Sequence, residues 1–289
     1  MISKVIKLKQ RILRKIFPTN KNLIVREIKC KSLLNKSQLA EYCMNCYIGC
    51  EHACKYCYAD SITRKFSPHE EAWGEFVDVK VNAPEVLKKE IKRKKKGKIF
   101  ISSLCDPYQP LEEKYELTRK CLEILLKHQF PIIIQTKSSL VLRDLDLLKK
   151  FKSCEVGFTI TSLNEKVRKD FEPNSSPVKE KLEAIKVLRE NGIFVYVFLG
   201  PVLPYLSDEN LEEYFEKIVK LNVNEIWVDK LNLKRGVWES VSSVLERNYP
   251  ELLEKWKKVV LFENNYWEEL KEKIRRIGES KGVKCIFCF

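Results

Sequence analysis

Between residues 38 and 233 the chain alternates short apolar runs with amphipathic segments, and that alternation limits the folds open to it. Strands are predicted at 38–44, 98–103, 131–136, 155–160, 193–199 and 225–228. Between them, apolar residues recur three or four apart. Leu117, Cys121 and Leu125 mark a helix over 116–127, and a second helix is predicted over 140–151. Leu182, Ile185 and Leu188 mark another, ended by Asn191-Gly192, and Tyr214, Phe215, Ile218 and Val219 a fourth. Strands apolar on both faces and joined by helices belong to a parallel sheet covered on both sides. Six such units fit a partial β/α barrel or a doubly wound sheet, and periodicity does not choose between them.

In either architecture chemistry gathers where the strands end. The second strand is followed by Ser103, Cys105 and Asp106. Thr136 and Lys137 end the third, and Thr159, Thr161 and Ser162 the fourth. Gly200-Pro201 and Asp229-Lys230 end the fifth and sixth. Any one of these residues is an ordinary cap or turn residue. As a set they describe a site.

The first strand leads into Cys50-x3-Cys54-x2-Cys57. Three thiolates on one short loop are one fewer than the four that normally hold a cubane iron–sulfur cluster. The missing ligand leaves one iron open, as catalytic zinc sites keep a position open where structural ones are closed. No other cysteines share this spacing: counted from Cys46, the third position falls on Ala53. The competing reading is a zinc knuckle. Cys43-x2-Cys46 and Cys285-x2-Cys288 together form a second candidate metal set. Against it, residues 43 and 46 face opposite sides of an unbroken strand, and 283–289 reads as a docked strand with buried thiols.

The run Asn45-x-Tyr47-x-Gly49-Cys50-Glu51-His52-x-Cys54-x-Tyr56-Cys57-Tyr58-Ala59 resembles the radical S-adenosylmethionine (SAM) superfamily, in its branch related to spore photoproduct lyase. The likeness continues through Asp106-Pro107-Tyr108-Gln109-Pro110, Leu117-Thr118-Arg119, Thr136-Lys137-Ser138, Arg143-Asp144, Glu172-Pro173 and Gly200-Pro201-Val202-x-Pro204. It covers residues 40–232. The resemblance implies a partial (β/α)6 barrel, a 4Fe-4S cluster on Cys50, Cys54 and Cys57, and SAM on the open iron. It implies Tyr56 against the adenine and Lys137 near the cofactor carboxylate. Asp106 and Thr159 are expected at the methionine amino group or the ribose hydroxyls. A reductant such as ferredoxin or flavodoxin is implied as partner. Cys46, Cys105 and Lys181 depart from the branch, which has proline, a small hydroxyl residue and arginine there. The hydrogen-donor cysteine of the lyase falls on Ser103, which puts the lyase reaction itself in doubt. Cys105 is then the candidate catalytic hydrogen donor; its bland reading is a buried small residue.

Composition narrows the remaining classes. The chain has 54 Lys and Arg against 40 Asp and Glu. Ten of the basic residues lie in 1–31, where Glu27 is the one acid, and a second block fills 88–98. Such blocks track a DNA or RNA backbone, or else form a solvated helix face. No apolar run is long enough to span a membrane, and no export signal is visible. The odd count of eleven cysteines then favours reduced thiols in a cytoplasm. Val5, Leu8, Ile12 and Ile16 predict an amphipathic helix in a basic N-terminal segment, 1–37, ahead of the core, 38–233. Residues 234–289 read as a helical extension packed on the core. The leading expectation is a radical SAM enzyme. The alternative is a non-catalytic iron–sulfur electron carrier or a zinc-held nucleic-acid binder, although a carrier would normally have a fourth cysteine and needs no large barrel.

Overall fold

The computed structural model describes residues 23–262 and 265–289. The N-terminal amphipathic helix expected around Val5–Ile16 lies outside them. The strands are β1 (Ile24–Ile28), β2 (Leu34–Lys36), β3 (Tyr42–Met44), β4 (Tyr47–Ile48), β5 (Phe76–Lys80), β6 (Ile99–Ile101), β7 (Ile132–Thr136), β8 (Cys154–Thr159), β9 (Phe194–Val202), β10 (Glu225–Lys230) and β11 (Lys284–Phe287). The helices are α1 (Tyr58–Phe66), α2 (Ala83–Glu90), α3 (Glu112–Tyr115), α4 (Leu117–His128), α5 (Leu145–Leu148), α6 (Glu165–Phe171), α7 (Val178–Glu190), α8 (Leu211–Val219), α9 (Val237–Asn248), α10 (Leu253–Leu261) and α11 (Tyr266–Ser280).

Eight strands form the main sheet in the order β11-β10-β9-β8-β7-β6-β3-β2. All neighbours are parallel except β2, which runs antiparallel to β3. The fold is therefore a mixed α/β architecture on a parallel sheet, with the strand ends on one rim. Apolar residues occupy both faces, as the continuous runs require. On one face Ile99, Ile101, Ile132, Ile134, Val156, Phe158, Val195 and Val197 join the core beneath the helices. On the other, Phe100, Ile133 and Tyr196 cluster with Phe194, Phe198 and Trp227. Alternation along each strand produces this division. Gly157 is required by it: a Cβ there would lie 2.1 Å from the Tyr196 ring.

Three expectations are corrected. The first strand is shorter than 38–44, and β6 ends before Ser102, whose φ of +65° breaks the extended run. The helix expected over 140–151 is a 3-10 turn, Ser139–Asp144, followed by α5. The Arg143 guanidinium is drawn onto the Glu112 carbonyl at 2.8 Å and its carboxylate at 2.6 Å, while Arg119 holds Asp144 at 2.9 Å. Those buried carboxylates fix the backbone there in place of a regular helix. Within 234–289, the docked strand read at 283–289 is β11, parallel beside β10, with Cys285 half-buried and Cys288 exposed. A separate sheet, β1-β5-β4, was not foreseen; it braces the cysteine loop.

Candidate active site

The cysteine loop is held from both ends. Before it, β4 pairs with β5, placing Ile48 opposite Asp78. Gly49 then turns with φ +85°, and a Cβ there would lie 2.4 Å from the Phe76 carbonyl oxygen. That combination of conformation and close approach admits only glycine. Inside the loop the Ala53 and Cys57 amides donate to the Cys50 and Cys54 carbonyls, each at 3.2 Å. The Lys55 amide ties the loop to Phe171 at 2.9 Å. After it, Cys57 caps the N-terminus of α1, where the helix dipole favours a thiolate. Burial pushes the Cys50, Cys54 and Cys57 thiols up, while Lys137 pulls Cys54 and Cys57 back down.

All three thiols line one cavity of 370 Å³ at the ends of the strands. Tyr56, Cys105, Asp106, Lys137 and Thr159 line it as well. Of the residues expected at the strand ends, Thr161 and Ser162 do not line this cavity, and those that do are employed differently.

Asp106 is braced rather than open. One carboxylate oxygen accepts from the Tyr108 amide at 2.9 Å and the Thr136 hydroxyl at 2.7 Å. The other accepts from the Lys137 amide at 2.7 Å, with His52 Nε2 3.3 Å away but not aligned for a hydrogen bond. Burial works against its charge, yet His52, Thr136 and Lys137 hold its pKa down at about 2. Asp106 thus joins the cysteine loop to the ends of β6 and β7. His52 is fixed from behind, its Nδ1 2.8 Å from the Asn174 carbonyl.

Lys137 projects toward the cysteines, its Nζ 5.7 Å from the centre of the Tyr56 ring. Burial opposes its charge, but Cys54, Glu172 and Asp106 keep its pKa raised. Tyr56 is in turn anchored: its hydroxyl donates to the fully buried Glu172. Glu172 also accepts from Thr161 at 2.9 Å, Ser175 at 3.1 Å and Lys181 at 3.2 Å. Lys181 reaches on to the Thr159 carbonyl at 3.1 Å. A lysine in place of arginine therefore still closes this buried network.

On the cavity wall two buried hydroxyls are left unpaired. Ser102 Oγ and Thr159 Oγ1 have no hydrogen-bond partner among the described residues, and both residues line the cavity. Trp73 Nε1 is a third such atom on the same wall. Buried polar groups are rarely left unsatisfied unless something else meets them. Cys105 stands beside Asn45 Oδ1 at 3.9 Å, and burial pushes its thiol up to about 12, so it keeps its hydrogen at neutral pH. Ser103 accepts from Asn45 at 3.3 Å and lines the cavity too.

The second metal set does not assemble. Five strands separate β3 from β11, and Cys46 Sγ lies 3.8 Å from Cys121 Sγ in the core. Among the described residues no three His, Cys, Asp or Glu side chains converge on a single metal ion. Three thiols spread along one cavity instead suit a cubane, which takes each on a different iron. All eleven cysteines are free. No helix among the described residues is long and apolar enough to cross a membrane.

Sequence reasoning missed Trp73, Trp227 and Cys288 in the cavity lining. Trp227 had a signal: it stands two residues before Asp229 on one strand, so the two share a face. Cys288 and Trp73 depend on pairing and loop closure that no local pattern encodes.

The profile of the Radical SAM superfamily matches residues 44–218. The chain belongs to that superfamily and is an enzyme of it, with the 4Fe-4S cluster, SAM and external reductant that membership implies. An uncharacterized protein of Methanocaldococcus jannaschii is 40% identical over 237 residues, 81% of this chain and 87% of its own length. A radical SAM Nalpha-GlyT isomerase of Pseudomonas phage M6 is 23% identical over 181 residues, 62% of this chain and 37% of its own length. In fold the chain is similar to spore photoproduct lyase solved with AdoMet and dinucleoside spore photoproduct, with a TM-score of 0.69 at 16% identity over 92% of this chain and 82% of that one.

Proposed function

We propose that Cys50, Cys54 and Cys57 hold the 4Fe-4S cluster, and that SAM occupies the adjoining part of the same cavity. When bound and reduced, this pair supplies a 5′-deoxyadenosyl radical for hydrogen-atom abstraction. The chain's own residues do the rest. Lys137 offers a fixed cation for a carboxylate, held in place by the bond from its backbone to Asp106. Ser102 and Thr159 offer the unpaired hydroxyls that a ribose or an amino group would satisfy. Tyr56, pinned by Glu172, offers a flat surface beside Lys137. Strand order supports the partial (β/α)6 barrel reading, since each parallel strand lies beside its successor and residues of β6, β7, β9 and β10 face one cavity. Such enclosure keeps water from a reactive radical.

The observation that carries this reading is the meeting of three free thiols, a half-buried cation and unpaired buried hydroxyls in one cavity. Cys105, protonated and on the cavity wall, is the candidate hydrogen donor. The basic block at 88–98 precedes β6 and so lies at the rim opposite the cavity. The test is anaerobic loading with iron and sulfide, reduction, addition of SAM and assay of 5′-deoxyadenosine. Replacing Cys50, Cys54 or Cys57 by alanine is expected to abolish both the cluster absorbance and the product. A fully loaded wild type that leaves SAM intact would overturn the proposal.

A further inference from the structure

The cavity continues past the cysteine and Lys137 wall to a part that the cofactor reading leaves unused. Asp229 stands there, at the end of β10. Four strands separate β10 from β3, which leads into the cysteine loop. Asp229, Lys230, Asn232 and Cys288 line both this cavity and an adjoining 810 Å³ hollow bordered by α10, α11 and the end of the chain. Unlike Asp106 and Glu172, Asp229 forms no ion pair and no bond to another side chain among the described residues; the neighbouring Lys230 amide alone steadies it.

Its surroundings are aromatic. Trp227, two residues back on the same face, is stacked on Tyr196 at 4.6 Å and lines the cavity with Phe100, Phe198 and Tyr58. Tyr58 and Cys288 lie near enough to feel the Asp229 charge. Lys230 feels it too, but its ammonium lies 5.4 Å from the centre of the Phe289 ring. Lys137, the other cation on the wall, is balanced at the cysteine end by Cys54, Glu172 and Asp106. A lone half-buried carboxylate among aromatic faces is the chemistry that recognises organic cations, through the charge on one side and ring quadrupoles on the other. It repels phosphate, and a purely apolar substrate would leave the carboxylate buried without a partner.

We propose that Asp229 receives a positively charged nitrogen of the substrate, an ammonium or guanidinium, whose carbon skeleton lies against Trp227 and the neighbouring rings. This assignment rests on the cavity being the radical site and names the class of molecule that enters it. Burial lifts the Asp229 pKa to about 6, so the carboxylate is ionised at pH 7.5 and gains from a cationic partner.

The test uses the enzyme loaded with cluster and SAM and three probes of one shape: benzylamine, benzyl alcohol and benzoate, followed by ligand-observed NMR. Benzylamine is expected to bind best and beside SAM. Asp229→Asn, at matched iron content, is expected to weaken it about tenfold or more while leaving benzyl alcohol unchanged. Trp227→Leu is expected to weaken benzylamine as well, which gives a second reading should Asp229→Asn fold poorly. Benzylamine that binds wild type and Asp229→Asn equally, that displaces SAM, or that fails to bind at millimolar concentration overturns the assignment. So does a preference for benzoate. Cleavage of SAM by the loaded wild type is scored separately, so failure of the radical reading is distinguishable from failure of the cation site.

Discussion

Asp106 shows how one side chain organises the site. Its oxygens join the Tyr108 and Lys137 amides, the Thr136 hydroxyl and, at 3.3 Å, His52. Because its pKa is about 2 in the fold against an ordinary 3.8, the native state prefers the ionised form. That preference contributes roughly 2 kcal/mol of stability. The contribution is fully present above about pH 4 and is lost as pH falls toward 2, through the folded value. Asp106→Asn in the iron-free protein is therefore expected to lower the urea midpoint at pH 7, with the gap to wild type closing between pH 4 and pH 2. A gap independent of pH would show that packing, not charge, is what Asp106 supplies. The sequence marked Asp106 by its place after a strand, and it marked Lys137 and Thr159 the same way. Their separate duties were not legible. Whether a carboxylate is open to a ligand or filled by amides depends on where β6 and β7 end relative to each other, which is a property of sheet register. Ser102 was passed over for a related reason: it was read as strand, yet its φ of +65° turns it out of the ladder.

Among elements, the parallel strands were readable because each is a short apolar run between helices, and β6 to β10 fall within three residues of their predicted starts. The β1-β5-β4 sheet was not readable. β1 is largely exposed, carries Arg26 and Glu27, and pairs with a strand almost fifty residues away. Nothing local announces such a partner. β11 lay between these cases: its docking was anticipated, but its parallel place beside β10 is a long-range outcome. One close contact ties it to α11. Gly278, in the last turn of α11, comes so close to β11 that a Cβ would lie 2.5 Å from Cys285 Sγ. Alanine in a helix normally gains up to about 1 kcal/mol over glycine. Here Gly278→Ala is expected to show no gain, and to recover it when Cys285 is also alanine. A double-mutant cycle in urea should give a coupling of about 1 kcal/mol. Additivity within about 0.3 kcal/mol would mean the helix and strand do not meet at that point.

At the scale of the whole molecule, the parallel sheet separates two rims with different charge. The thiols, Lys137 and Asp229 stand where the strands end. The block at 88–98 stands where β6 begins, with Lys92, Lys95 and Lys96 exposed. From Lys98 to Ser102 the strand advances about 13 Å. At that distance, with Lys92, Lys95 and Lys96 solvated on the outer rim, the block's field is weak at the cavity. Composition shows a basic protein; only the fold shows that the block at 88–98 is turned away from the chemistry. Changing Lys92, Lys95 and Lys96 together to glutamine is therefore expected to leave SAM affinity and 5′-deoxyadenosine formation within about twofold of wild type. If the same block tracks a phosphate backbone, the variant binds DNA or RNA more weakly, and the slope of log affinity on log salt becomes shallower by about 0.9 for each duplex contact removed. A change in SAM cleavage without any change in that slope would contradict the separation of the rims, because it would require the block's charge to act through the sheet on the site while contacting nothing of its own.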